Sequence, residues 1–224
     1  MQYCNNLAAI SGIYFVGGIV GEKQKGFIGS CINNGTIFGG NFVGGIVGKV
    51  TNFAHHKYLK NAGTIHGGGD NTSYIGGIAG YVYGSSQFVS SGLLHGLTNI
   101  GVVQGGNYQY AGGIVGYLQN SNLENCSGGG YVSGAVQFAG GIVGFVDVNG
   151  IIKSCISTNK VERDGVPYSG ALVGFNEGLV DSSYFDSQMG NIDGIGRNNG
   201  IHNGPPMSRT TAGMLGLALQ FVLP

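Results

Sequence analysis

The 224 residues allow one good-sized domain or two small ones, and 47 glycines beside only four prolines exclude both collagen and a Pro-rich linker. A hydrophobic content of 42% is too high for disorder, while ten basic and ten acidic residues cancel and charged residues reach only 9%, a balance that argues against nucleic acid as partner. No apolar run reaches the roughly 20 residues that span a bilayer, and the opening "MQYCNNLAAISGIYF" lacks a basic n-region, so neither a membrane span nor a signal peptide is expected.

Along the chain one heptad is written six times: "FVGGIVG" at 15–21 and 42–48, "YIGGIAG" at 74–80, "YAGGIVG" at 110–116, "FAGGIVG" at 138–144 and "YSGALVG" at 168–174. A second motif comes into register upstream of each copy, as in "CINNGTI" at 31–37 and "LKNAGTI" at 59–65. Its first position holds Cys4, Cys31, Leu59, Leu97, Cys126, Cys155 and, in a partial copy, Ser183, in steps of 27, 28, 38, 29, 29 and 28 residues. Periods of this size mean solenoids, propellers or arrays; blades need about 40–50 residues and a different signature.

Ile10, Ile37, Ile65, Val103, Val132 and Val161 form a β-branched column, which favours strand. Ala8, Gly35, Gly63, Gly101, Gly130 and Asn159 share a position where positive φ is expected, and Asn6, Asn33, Asn61 and Asn99 share one where a side chain would bond nearby backbone at a bend. The predicted fold is all-β, a β-solenoid (β-helix-like) of about six 27–29-residue rungs plus a partial rung and a C-terminal cap, with two or three short strands per turn and a length of roughly 30 Å. Residues 1–185 would hold the repeats and 186–224 a terminal loop and capping segment. Strict alternation through the heptad puts the aromatic column Phe15, Phe42, Tyr74, Tyr110, Phe138 and Tyr168 inside, on the face of Ile19, Ile46, Ile78, Ile114, Ile142 and Leu172, with glycines making room.

The position after each heptad reads Glu22, Lys49, Tyr81, Tyr117, Phe145 and Phe175. Opposite charges at its start mark it as solvent-facing, and Tyr81, Tyr117, Phe145 and Phe175 are the candidate ligand-binding strip, since flat exposed rings suit sugars or proteins. The bland reading is that a loop, the tail or another domain covers them. The third rung carries extra residues in "HGGGDNT" (66–72) and "YGSSQFVSSGLLHG" (83–96), and such insertions map to surface loops.

The remaining chemistry-bearing residues read as structural. The four cysteines share a column with Leu59 and Leu97, as buried free thiols would, although stacked neighbours fall within bridging distance. "HHKYL" at 55–59 and His66 lack the partners of a metal site and read as a solvated loop, and "GIGRNNG" at 194–200 misses the dinucleotide spacing and reads as a loop. No metal or cofactor is implied. Asp181, Asp186 and Asp193 form the one acidic cluster, a possible carboxylate pair for glycoside cleavage, but Asp in Ser- and Gly-rich turns usually caps its own backbone. In "TTAGMLGLALQFVLP", Thr210 or Thr211 would cap a short helix, and Met214, Leu215, Leu219 and Phe221 would fold over the last rung.

The aromatic-Gly-Gly-Ile/Leu-Val-Gly heptad, following a Cys-x-Asn-x-Gly-x-Ile strand, resembles the GLUG repeat of bacterial surface and secreted proteins. The stretch "GLVDSSYFDSQMGNIDGIG" and the later "MSRTTAGML" resemble the segment closing such arrays, with Gly213 where the family tends to have Glu. The resemblance covers nearly the whole chain. It implies a non-catalytic, extracellular or cell-surface adhesin-like module with carbohydrate or a host or cell-surface protein as partner, sometimes an appendage of a larger secreted protease, and it brings no catalytic residues.

Overall fold

The computed structural model describes residues 1–51, 55–68, 73–84, 93–106, 109–134, 137–162, 165–190, 192–203 and 206–214. Much of both third-rung inserts, and Leu215, Leu219 and Phe221, lie outside them. Gly, Asn and left-handed corners interrupt the chain every few residues, so each strand is only two to five residues long. Successive turns stack in parallel, and the strands assemble into five sheets, named here first to fifth in the order the chain visits them.

The first turn contributes Asn5–Asn6, Ile10–Ser11, Phe15–Gly17, Val20–Lys23 and Ile28–Gly29 to the first through fifth sheets. The second and third sheets hold six strands each, so six turns carry all five strands. Tyr184–Asp186, Ile195–Asn198, Ile201–Asn203 and Met207–Arg209 then continue the first, fourth and fifth sheets. The molecule is therefore the expected β-solenoid, with five strands per turn in place of two or three. Stacking also continues past residue 185, and "GIGRNNG" contributes a strand paired with Val173–Asn176 where a loop was expected.

Register follows the sequence columns. Ile37 pairs with Ile10 on one side and Ile65 on the other, and the column continues through Val103, Val132 and Val161. From Ile37 to Val161 it is buried. Cys31, Leu59, Leu97, Cys126 and Cys155 are buried in one line, with all four cysteines free.

The aromatic column is not inside. Phe15 is exposed, Phe42, Tyr74, Tyr110 and Tyr168 are half-buried and Phe138 is buried beneath its neighbouring rings, whereas Val16, Val43, Ile75, Ala111 and Ala139, the next residues along, fill the interior. The expectation failed because the heptad is two strands, not one. Phe42–Gly44 belongs to the third sheet and Val47–Thr51 to the fourth, and the chain bends at Gly45–Ile46 between them. Ile46 and Val47 are consecutive and both buried, which alternation on one strand forbids. The isoleucine column is internal as expected, but on the far side of a corner from the rings.

The Gly-Gly pair makes that corner close-packed. A Cβ on Gly45 would fall on the carbonyl oxygen of Gly77 in the next turn and lie 2.6 Å from Oδ1 of Asn61. The asparagines thus sit in the middle of the cross-section, where the glycine column meets them. On either side lie two separate apolar clusters, one around Ile46, Leu97 and Val143, the other around Ile37, Val43 and Val103.

Positive φ occurs one position before the cysteine column, at Tyr3, Ser30, Tyr58, Gly96, Asn125, Ser154 and Ser182, with φ from 46° to 63°. This is the corner between the fifth and first sheets. The column of Gly35, Gly63, Gly101 and Gly130, expected to be left-handed, is not among the positive-φ residues. Glycine stands there because a Cβ would collide with the carbonyl of the preceding turn, as Gly63 would with Gly35.

Candidate functional site

The rings displaced from the core form the main feature of the outer surface. In the third sheet Phe15, Phe42, Tyr74, Tyr110, Phe138 and Tyr168 are in register. Their rings stack along the rod at centroid separations of 4.8–5.2 Å. In the fourth sheet the register runs Glu22, Lys49, Tyr81, Tyr117, Phe145, Phe175 and Arg197. Its four rings stack at 4.9–5.3 Å. The two columns face each other across the corner and interlock edge to face, for example Tyr74 with Tyr117 at 5.4 Å and 85°, and Phe138 with Phe145 at 5.4 Å and 87°.

The expected strip of Tyr81, Tyr117, Phe145 and Phe175 is accordingly a half-covered one, and its cover is the column that alternation had placed inside. Tyr81, Tyr117 and Phe145 are half-buried and Phe175 is buried. Within each ladder, neighbours occupy the ring faces; the Tyr81 hydroxyl donates to Gln119 Oε1 and the Tyr168 hydroxyl accepts from Arg197. Burial, then nearby tyrosine and Asp147 charge, push the Tyr81 phenol up to about 12. Burial pushes Tyr117 up further, so both stay neutral near pH 7.

Cations close the ladders at both ends. Lys49 Nζ lies 5.2 Å from the Phe15 ring centroid, 5.4 Å from that of Phe42 and 3.7 Å from a Glu22 carboxylate oxygen. At the other end the Arg197 guanidinium lies 5.6 Å and 5.4 Å from the Tyr168 and Phe175 centroids and donates to the Tyr168 hydroxyl at 3.2 Å.

The three acids are dispersed. Asp181 ends a strand of the fifth sheet, Asp186 ends one of the first sheet, and Asp193 is exposed ahead of the Ile195–Asn198 strand. Asp181 Oδ1 accepts from Ser182 at 3.0 Å. Buried Asp186 accepts from the Gln188 N–H at 2.9 Å and from the Thr211 hydroxyl at 2.7 Å. It caps its own turn and ties the chain end to the last rung. Thr210 caps the helical residues 211–214, its hydroxyl accepting from Gly213 N–H at 3.3 Å, and Met214 is buried.

His56 departs from the solvated-loop expectation. It is fully buried in the fifth sheet, in the column of Ile28 and Leu94. Its Nδ1 accepts the Ile28 N–H at 3.1 Å, and among the described residues Nε2 has no partner. Burial foremost, then the Lys23 charge, lowers its pKa to about 4. Among the described residues no cluster of three His, Cys, Asp or Glu could hold a metal, and no helix is long and apolar enough to cross a membrane.

Comparison with curated proteins and with solved structures gives no match. Residues 107–127, which include Tyr110, Tyr117 and the third Gly-Gly-Ile-Val-Gly corner of that type, match the family model described as the GLUG motif, consistent with the chain being a GLUG-repeat protein.

Proposed function

We propose that the chain is a non-catalytic structural and adhesion module of the cell exterior, a stiff rod that holds its outer surface ready for a carbohydrate or protein partner. The observation that carries this reading is the pair of interlocked ring columns. The third-sheet column has a ring in each of the six full turns and the fourth-sheet column in the last four, and together they brace these sheets from outside, so the surface is built by the same repeats that build the core. A continuous parallel stack of this kind is resistant to bending and spaces surface groups evenly, which suits presentation. The dispersed carboxylates, each engaged with its own turn or exposed, support binding over hydrolysis.

The test is surface plasmon resonance of the immobilised protein against soluble polysaccharides and extracellular-matrix proteins, with reducing ends assayed in parallel. Saturable binding without release of reducing ends is expected. Release of reducing ends that disappears in Asp186→Asn would replace this reading with a glycoside-cleaving one.

A further inference from the structure

The outer column of the second sheet runs Ser11, Phe38, His66, Gln104 and Ser133. Phe38 and His66 stack at 4.8 Å with an interplanar angle of 5°. On its other side the in-register neighbour of Phe38 is Ser11, whose side chain is too short to cover a ring. Phe38 therefore keeps one ring face free, unlike the inner members of the two ladders, and is 46% exposed.

That free face belongs to a cleft of about 510 Å³ at the corner between the second and third sheets, lined also by Ser11, Tyr14, Asn41 and His66. Tyr14 is 64% exposed. Gly12, Gly39 and Gly40 also line it, backbone packed close beneath: a Cβ at Gly12 would press on buried Val16 and one at Gly40 would collide with the Ile13 carbonyl.

We propose that this cleft binds a sugar unit of a neutral carbohydrate, with the C–H face of the pyranose on Phe38 and its hydroxyls reaching Ser11, Tyr14, Asn41 and His66. A free aromatic face rimmed by hydroxyl, amide and imidazole groups matches the two-sided character of a pyranose, apolar above and below and polar at its edge. The volume lies in the range of small-ligand sites. Among the described residues no carboxylate, lysine or arginine lines the cleft, so its described lining is neutral, as a neutral sugar requires. The proposal rests on reading the chain as a binding module and adds the ligand class and the place.

Isothermal titration with maltotriose, cellotriose and chitotriose tests it, using the whole chain, wild type and the exposed-site variants Phe38→Leu, Phe38→Ala and Tyr14→Phe, with Tyr117→Phe probing the ring ladder and the exposed Val148→Ser as a remote control. At least one sugar should bind in the micromolar to millimolar range. Phe38→Leu, which keeps an apolar side chain but loses the ring face, should weaken it by roughly tenfold or more, Tyr14→Phe by several-fold, and Val148→Ser not at all. Absence of binding by all three sugars up to their solubility limits overturns the proposal. So does wild-type affinity in both Phe38 variants; if Tyr117→Phe loses binding while they keep it, the site is on the ladder and the module reading stands. Cleavage of a bound sugar overturns the module reading itself.

Discussion

Asn33 donates its side-chain N–H to Oδ1 of Asn61 across 2.7 Å, and neither residue has any solvent exposure. Asn6 donates to Asn33 in the same way at 2.7 Å and Asn61 to Asn99 at 2.8 Å, while each amide also binds the carbonyl two residues on. The ladder satisfies polar groups in the middle of the rod. It stops where Gly128 and Ser157 replace Asn, and there Asn159 takes over: it accepts from the Gly130 N–H at 2.8 Å and donates to the Gly141 carbonyl at 2.6 Å.

Asn61→Ala would leave the amide of Asn33, the oxygen of Asn99 and the Gly63 backbone without their partner. The expected loss is about 2–4 kcal/mol, because buried donors and acceptors would be stranded. Urea unfolding measures it; a loss near zero would mean the ladder contributes nothing.

Ile75 is fully buried, whereas Phe15 ends its ladder and is 40% exposed. Ile75→Ala should cost about 2–5 kcal/mol as a cavity in the core, and Phe15→Ala about 1 kcal/mol as the loss of one ring pair. Equal melting temperatures for the two variants, or the reverse order, would contradict the placement of the rings outside.

His56 makes stability depend on pH. Its folded pKa of about 4 lies below the ordinary 6.5, so between these values the unfolded chain binds the proton and the folded one does not. The stabilisation is complete above pH 6.5 and is lost as pH falls toward 4, by about 3 kcal/mol at most. His56→Leu should flatten this part of the stability–pH curve measured by denaturant titration.

Asp186 holds the 211–214 turn through Thr211, so Thr211→Val should loosen the chain end while the solenoid stays folded. Limited trypsin digestion would then cut faster after Arg209 than in wild type, with an unchanged far-UV spectrum. An unchanged cleavage rate would show that the contact does not hold the end.

Of the four thiols, Cys4 is half-buried at the first turn and the other three are buried. Burial raises the Cys31 thiol above its ordinary value and Cys126 well above it, with hydrogen bonding to Cys155 adding to the latter. A thiol reagent should titrate about one equivalent in native protein and the full set after unfolding. Rapid native reaction of a second thiol would place another cysteine at the surface.

The rod itself was legible in the sequence because parallel, in-register stacking puts corresponding residues of each repeat directly over one another. Ile37 over Ile10, Asn33 over Asn6 and Cys31 over Cys4 are neighbours in space because they are neighbours in the alignment, and the physics that lets Leu replace Cys in a buried column shows in the letters. What tertiary structure decided was where each turn bends. Side-chain alternation holds only within a strand, and the bend at Gly45–Ile46 resets it, which sends Phe42 outward while Ile46 stays inward. Whether a Gly-Gly pair is a straight strand or a corner depends on asparagines packed against it from 15 or more positions further along the chain, as Asn33 packs on Gly18, and no local pattern carries that. The left-handed corner is hidden for a related reason. The closure of the turn imposes positive φ on Tyr3, Ser30 and Tyr58, residues with no intrinsic preference for it, so only Gly96 and Asn125 in that column announce the conformation they adopt.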